Sequence, residues 1–190
     1  MNNNGGEFQS DEEIIRSILR EEQNDLYEIL YERYYPKVLD KCFSLLNNRE
    51  MAEEISMDIL SRAYEHLGSF RGRSSFSSWL YAITYNYCID YLRERKALHY
   101  PEWNDSQELP EIVDEREEDL DGLRYDRLLM ILDTIHTEEK AMLMMKYYDD
   151  LSVREIATAM RVTESAAKMR LKRAKARVLF LYKKTFSDIE

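Results

Sequence analysis

Apolar residues recur at helical spacing through nearly the whole chain. Ile14, Ile15, Ile18 and Leu19 share one face behind Ser10-Asp11-Glu12-Glu13, which has the form of a capping box. A second helix carries Leu26, Ile29 and Leu30 and is expected to end near Tyr35. Pro36 suits the first turn of a third helix, through Val38, Leu39, Phe43 and Leu46. Asn47-Asn48 breaks that one. A fourth runs from about Arg49 to Leu67, with Gly68 as its expected left-handed cap. After the loop Ser69–Ser74, a ring-rich helix continues to about Leu98. No strand pattern and no internal repeat interrupts the series, so the fold class is all-α.

From Pro101 to about Gly122 the helical period lapses. Prolines, few apolar residues and dense negative charge mark a linker that cannot bury enough to fold alone. The period resumes near Leu123, with Leu128, Leu129, Ile131, Leu132 and Ile135 on one face. Thr137 is the expected cap of the next helix, through Met142, Leu143 and Tyr147, and Asp149-Asp150 turns the chain. Ser152-Val153-Arg154-Glu155 is a second capping box, opening a short helix to about Met160. Arg161-Val162 is a turn, and Thr163 caps a last helix to about Lys183. The expected division is a disordered polar leader (1–9), a helical module (10–99), an acidic linker (100–122) and a second helical module (123–190).

Charge changes this picture more than composition does. The formal net charge of −10 argues against a nucleic-acid partner until its distribution is considered. Between Pro101 and Asp126 only Arg116 and Arg124 oppose a dense run of acids. From Leu151 to Lys184 the balance inverts, and only Glu155 and Glu164 oppose the cations. Two basic regions therefore flank an acidic tether. Extended, about 20 residues span several tens of ångströms, enough to separate two DNA contacts by more than one turn (~34–36 Å).

Other classes drop out. No apolar run approaches the ~18 residues of a membrane span, and the start MNNNGGEFQS lacks a secretory signal's basic and apolar regions. Cys42 and Cys88 are far apart in sequence with no cysteine nearby, so neither a disulfide nor a metal site is expected. His66, His99 and His136 are scattered and suit surface or capping roles. No phosphate-binding glycine loop and no paired acid–base residues are present, so neither catalysis nor a cofactor is expected. These absences point to a cytoplasmic, non-enzymatic protein.

Three elements carry chemistry. The segment 152–177 has helix-turn-helix spacing. Ala167, Leu171, Ala174, Val178 and Leu181 form the inward stripe of its second helix, while Ser165, Met169, Lys172 and Ala176 point the other way. Lys168 and Lys175 flank one side of that face and Arg170, Arg173 and Arg177 the other. Small or polar residues at the apex with cations on both shoulders suit a major groove. The turn lacks the usual glycine: either Arg161 accepts a left-handed conformation, at about 1–2 kcal/mol, or the turn differs. The second element is FRGRSSFSSWLYAITYNYCIDYLRERK, where Phe70, Phe76, Trp79 and four tyrosines lie among arginines. Trp79, Asn86, Asp90 and Arg93 fall along one stripe, a mixture able to hold an unpaired base. The third is the helix EMAEEISMDILSRAY, which presents Glu53, Glu54, Met57 and Asp58 outward, either as a solvated acidic face or as a dock for a basic partner.

In this order the elements resemble the extracytoplasmic-function class of bacterial sigma factors, the promoter-recognition subunits of RNA polymerase. LYERYYPKV, AEEISMDILSRAY, the ring-rich segment and LSVREIATAMRVTESAAKMRLKRAKARV carry the resemblance. It implies that the first module is a sigma region 2-like bundle and the second a region 4-like helix-turn-helix. Glu53, Glu54, Met57 and Asp58 would dock on the clamp coiled coil of core RNA polymerase. Phe70, Arg71, Gly72, Arg73, Ser74, Trp79, Asn86, Asp90 and Arg93 would read and open the −10 element, with a flipped base near Asn86. Ser165, Lys168, Met169, Arg170, Lys172 and Arg173 would read the −35 element in the major groove. The polymerase flap would bind elsewhere on the second module, and the acidic linker would follow the RNA path. Many relatives have an anti-sigma partner. No small-molecule substrate and no membrane insertion is implied. The chain departs from the family pattern at Met57 (usually Gln), at Ala166-Ala167 (often Thr-Val) and at Arg161 (usually Gly).

The sequence thus reads as a sigma factor that confers promoter choice and helps nucleate melting. Its rivals are a free-standing helix-turn-helix regulator, which would bind specific DNA tightly alone, and a polymerase-binding adaptor, which would bind polymerase without promoter-specific initiation.

Overall fold

A computed structural model of the chain describes residues 10–21, 23–95 and 123–186. The expected leader and linker lie outside them. Among the described residues the fold is all helix, as the periodicity implies. The chain divides into two compact units, Met1–Cys88 and Ile89–Glu190, with the dividing point inside one helix.

In the first unit, α1 (Asp11–Glu21) starts with the expected capping box. The Ser10 amide donates to Glu13 Oε2 (2.9 Å) and the Glu13 amide to Ser10 Oγ (3.3 Å). Ile14, Ile15 and Ile18 are buried, whereas Leu19 is half exposed. The Arg33 guanidinium and the Tyr34 hydroxyl both donate to Asp11, fastening α1 to α2.

The largest departure from expectation is α2, one unbroken helix from Tyr27 to Leu46 with Pro36 inside it. The buried stripe Leu30, Tyr34, Val38, Cys42 and Leu45 keeps its phase across the proline. Pro36 and Glu32, whose carbonyl loses its partner, are both on the exposed side. That carbonyl sits on the solvent side, so the missing bond leaves no buried acceptor unsatisfied.

Asn47 ends α2 in a left-handed conformation (φ 50°), and the Asn48 side chain accepts from the Met51 amide at 3.0 Å to start α3 (Arg49–Glu65). Ala52, Ile55, Ile59, Leu60 and Ala63 bury the inner side of α3, which packs along α2. The Tyr27 hydroxyl adds a 2.6 Å bond to the Leu60 carbonyl. Gly68 is not the left-handed cap: it lies in a short 3-10 turn, Leu67–Ser69, after His66 has closed α3. Among the described residues the left-handed glycine is Gly72 (φ +64°), in the loop before α4 (Phe76–Glu94).

In the second unit, α5 (Tyr125–Leu132) and α6 (Thr137–Leu143) pack on the long α8 (Glu164–Phe186). His136, not Thr137, caps α6: its Nδ1 accepts from the Glu138 amide at 3.1 Å, while Thr137 is buried as the first helical residue. The chain then widens into a π turn, Met144–Tyr148, and reverses at Asp150 (φ 53°). Ser152 and Glu155 complete the expected capping box of α7 (Val153–Ala159).

Between α7 and α8, Arg161 adopts the left-handed conformation (φ 55°). Its amide bonds the Thr158 carbonyl (3.2 Å), and the Val162 amide bonds the Ala157 carbonyl (2.9 Å). This is a Schellman turn with arginine where glycine is usual. The two carbonyl bonds hold a residue that pays strain, so the tight turn is kept without glycine. Thr163 then caps α8 through the Ala166 amide (3.2 Å). Arg161→Gly should stabilise the protein by about 1 kcal/mol, seen as a higher urea midpoint with an unchanged slope.

Candidate DNA- and polymerase-binding faces

The two-sided character of α8 is its main property. Ala167, Leu171, Ala174 and Val178 are buried, and Leu181 is half-buried. With Ala157 and Ala159 also buried, small side chains let α7 and α8 approach closely. That burial fixes the rotation of α8 and sends Ser165, Lys168, Met169, Arg170, Lys172 and Arg173 to the exposed side. Met169 is 53% exposed, a large apolar group with no core role, available for contact with a base edge. All six residues expected to read DNA here therefore share one open face.

Arg177 does not belong to that face. The sequence placed it on a cationic shoulder, but it is 6% exposed. Its Nη1 lies 2.5 Å and 2.6 Å from the two Glu139 carboxylate oxygens, tying α8 to α6. On the helical wheel Arg177 adjoins Ala174 and Leu181, which was a legible warning. Its partner, from another helix, was not legible. Lys175 also turns partly inward, with its ammonium 5.9 Å from the Tyr147 ring centre. Arg170 lies 3.9 Å from Glu138. The cations that remain fully outward are concentrated at Lys168, Lys172 and Arg173.

In the first unit, the loop before α4 is open. Arg71, Gly72 and Arg73 are exposed, and Phe70 and Ser74 are half-buried. Phe70 points back to the domain: its ring centre is 5.6 Å from Trp79 and 5.8 Å from the buried Phe76. Trp79 also lies 5.6 Å from Phe76, so the indole has one packed side and one accessible side. Ser75, at the end of the loop expected to read the −10 element, has a cap role the sequence did not suggest: it caps α4 by accepting from the Ser78 amide at 3.1 Å. A serine three positions before an amide at a loop-to-helix junction is the signal that could have found it. Asn86 is half-buried on the same flank of α4 as Trp79; past the dividing point, on the second unit's part of α4, Asp90 is half-buried and Arg93 exposed, with Arg93 Nη1 3.2 Å from Asp90 and Arg93 Nε 2.9 Å from Glu138 Oε1. Neither the loop nor Asn86 is sealed into the core.

On α3, Glu54 and Asp58 are exposed and Met57 is 50% exposed. Glu53 is half-buried and engaged by Arg49 Nε at 2.8 Å. The Tyr87 hydroxyl lies 3.4 Å from Asp58 and the Arg62 guanidinium 4.9 Å from the Tyr87 ring, so the acidic face is braced from α4. Among the described residues no cluster of side chains could hold a metal ion, and no helix is long and apolar enough to cross a membrane.

A helix-turn-helix whose second helix is buried on one side and cationic on the other defines a DNA-binding protein. Comparison with known proteins narrows the class. The Sigma-70 region 2 family model matches residues 30–98, and the Sigma-70, region 4 model matches residues 125–178. The chain belongs to the sigma-70 family and is an extracytoplasmic-function RNA polymerase sigma factor. It is 28% identical over 153 residues to RNA polymerase sigma factor YlaC of Bacillus subtilis, covering 80% of this chain and 88% of that protein. It is 27% identical over 166 residues to ECF RNA polymerase sigma factor SigW of the same organism, covering 80% and 86%. Among solved structures, its fold is similar to that of sigma factor RpoE in complex with the anti-sigma factor NepR from Bartonella quintana. That match has a TM-score of 0.59 at 17% identity and covers 83% of this chain and 96% of that one. CnrH in complex with the cytosolic domain of CnrY also has a TM-score of 0.59, at 16% identity, covering 90% and 96%.

The buried ion pair separates Arg177 from the exposed arginines of α8. Arg177→Ala leaves Glu139 without its cation and should destabilise the protein by about 3 kcal/mol. Arg173→Ala should stay within about 0.5 kcal/mol of wild type. Thermal unfolding of the two variants side by side makes the comparison.

Proposed function

We propose that this sigma factor directs core RNA polymerase to promoters through two separate DNA-reading faces. The first is the outer side of α8, where Ser165, Lys168, Met169, Arg170, Lys172 and Arg173 read the −35 element in the major groove. The second is the loop Phe70–Ser74 with Trp79, Asn86, Asp90 and Arg93, which reads the −10 element and receives a non-template base turned out of the duplex. The observation that carries the reading is that all six expected α8 readers are exposed, opposite a stripe in which Ala167, Leu171, Ala174 and Val178 are buried.

Energetics favour capture over forced melting. Each base–aromatic stack contributes about 1–3 kcal/mol, against a few kcal/mol to unstack and unpair one base. Two or three contacts from the loop and the accessible side of Trp79 can hold a position that opens spontaneously. The protein needs no catalysis of its own for this, and we read it as a non-enzymatic, cytoplasmic factor that uses no cofactor. Glu53, Glu54, Met57 and Asp58 dock on a basic part of the polymerase clamp, with Glu53 also serving Arg49. The polymerase flap engages the second module away from the outer face of α8. The proposed division is a leader (1–9), a region 2 domain (10–99), an acidic tether (100–122) and a region 4 domain (123–190). The tether's charge repels duplex DNA and suits the polymerase's RNA path. The relatives solved with anti-sigma partners support an anti-sigma factor as a further partner.

In transcription with purified core polymerase on a promoter library, the protein should initiate selectively. Tight complex formation without initiation on any template would favour an adaptor, and tight specific DNA binding by the chain alone would favour a free-standing regulator. Asn86→Ala should lower open-complex yield more than closed-complex yield; equal loss at both stages would refute base capture. Lys168→Ala and Arg173→Ala should each reduce the salt dependence of −35 binding by about one unit of log–log slope. A slope equal to wild type would show that these cations do not meet phosphates.

A further inference from the structure

Cys42 and Cys88 are the only cysteines in the chain, and neither belongs to a DNA- or polymerase-facing surface. Their separation in sequence gave no reason to expect a bond. The fold brings them together in the core of the first unit, Cys42 on α2 and Cys88 on α4. Both are free thiols with no exposed surface. Their sulfurs are 3.6 Å apart, with Cys88 donating to Cys42. A lone buried cysteine is an apolar filler, but two in direct contact from different helices form a dithiol.

We propose that Cys42 and Cys88 are a redox-modification site, at which a hydroperoxide converts the dithiol into a disulfide joining α2 to α4. The Cys42 sulfur attacks one peroxide oxygen and the O–O bond breaks. The departing hydroxide takes the Cys42 proton and leaves as water, and Cys42 becomes a sulfenic acid. The Cys88 sulfur then attacks the Cys42 sulfur, the S–O bond breaks, and a second water carries off the Cys88 proton. Two electrons pass from the sulfur pair to the peroxide. The order of attack follows from the hydrogen bond, which pulls the Cys42 thiol below its ordinary pKa. The same contact, with burial, pushes Cys88 well above its own.

Hydrogen peroxide is small and uncharged and enters through local opening of α4, whose neighbouring residues Asn86 and Tyr87 are only half-buried. The burial that slows its entry also shields the finished bond from bulkier reductants. Closing from 3.6 Å to the ~2.05 Å of an S–S bond draws the two sulfurs about 1.5 Å closer. Asn86 lies on the far side of α4 from Cys88, about 200° round the helix, so the bond acts on it only by drawing the α4 backbone toward α2. This last consequence rests on the promoter-reading role proposed above; the thiol chemistry does not.

The full-length protein would be treated with hydrogen peroxide, unfolded, and alkylated with N-ethylmaleimide. Both thiols should be unreactive, the mass should fall by about 2 Da, and the chain should stay monomeric on a non-reducing gel. Dithiothreitol should restore both thiols once the chain is unfolded. Two free thiols after treatment, oxygen adducts without the cross-link, or disulfide-linked dimers would each overturn the proposal. After peroxide, dimedone should label Cys42 in Cys88→Ser several-fold more than Cys88 in Cys42→Ser, with circular dichroism confirming both folds. Equal labelling would overturn the assigned order of attack. With core polymerase, the oxidised protein should give several-fold less open complex than the reduced one. Equal yields would overturn the effect on α4. A reduced protein that initiates nowhere would instead refute the promoter-reading role, leaving the thiol count to decide the chemistry.

Discussion

The exposed face of α8 proposed to read DNA depends on the packing of the opposite side of the same helix. Ala167, Leu171, Ala174 and Val178 must leave water, and α5, α6 and α7 supply the surface that receives them. Once that stripe is buried, the 3.6-residue period leaves no freedom in where Lys168, Lys172 and Arg173 point. The Arg177–Glu139 pair adds directional restraint that apolar packing lacks. The Schellman turn at Arg161 sets where α8 begins, and the Thr163 cap supplies a partner for one of its first amides.

Much of this was legible because each signal was local. The two capping boxes, the Asn47-Asn48 break and the inward stripe of α8 each follow from side chains within a few positions of one another, and each is present. The exposure of the expected −35 readers followed from the same arithmetic. What failed depended on surroundings that a linear pattern does not contain. Pro36 was read as a helix start because proline suits a first turn, but its position on the water side of α2 lets the helix run through it. Gly68 was assigned the left-handed cap, yet α3 closes at His66 and the positive φ falls at Gly72. Thr137 was the better cap by residue type, but His136 occupies the geometry. Arg177 and the meeting of Cys42 with Cys88 required the fold itself, since their partners come from other helices.

Electrostatics follow the same division between inside and outside. A chain of net charge −10 can approach DNA only where its cations are gathered and its acids are elsewhere. The structure narrows that supply, because Arg177 is committed to Glu139 and Lys175 leans toward Tyr147. On the proposed reading, DNA affinity in the second unit concentrates on a few side chains, and ionic strength would modulate it strongly. In the first unit the opposite surface chemistry prevails on α3, where exposed carboxylates offer a basic partner a contact that DNA would reject.

The outward residues of α8 carry little structural duty: Ser165, Lys168, Met169 and Lys172 stand in solvent above a core that would be complete without them. Exposed substitutions of this kind change stability by only about half a kcal/mol. If this face reads promoters as proposed, preference can drift one side chain at a time while the scaffold stays above its folding threshold. In duplicated copies of such a gene, new regulons become accessible without passing through an unfolded intermediate in sequence space.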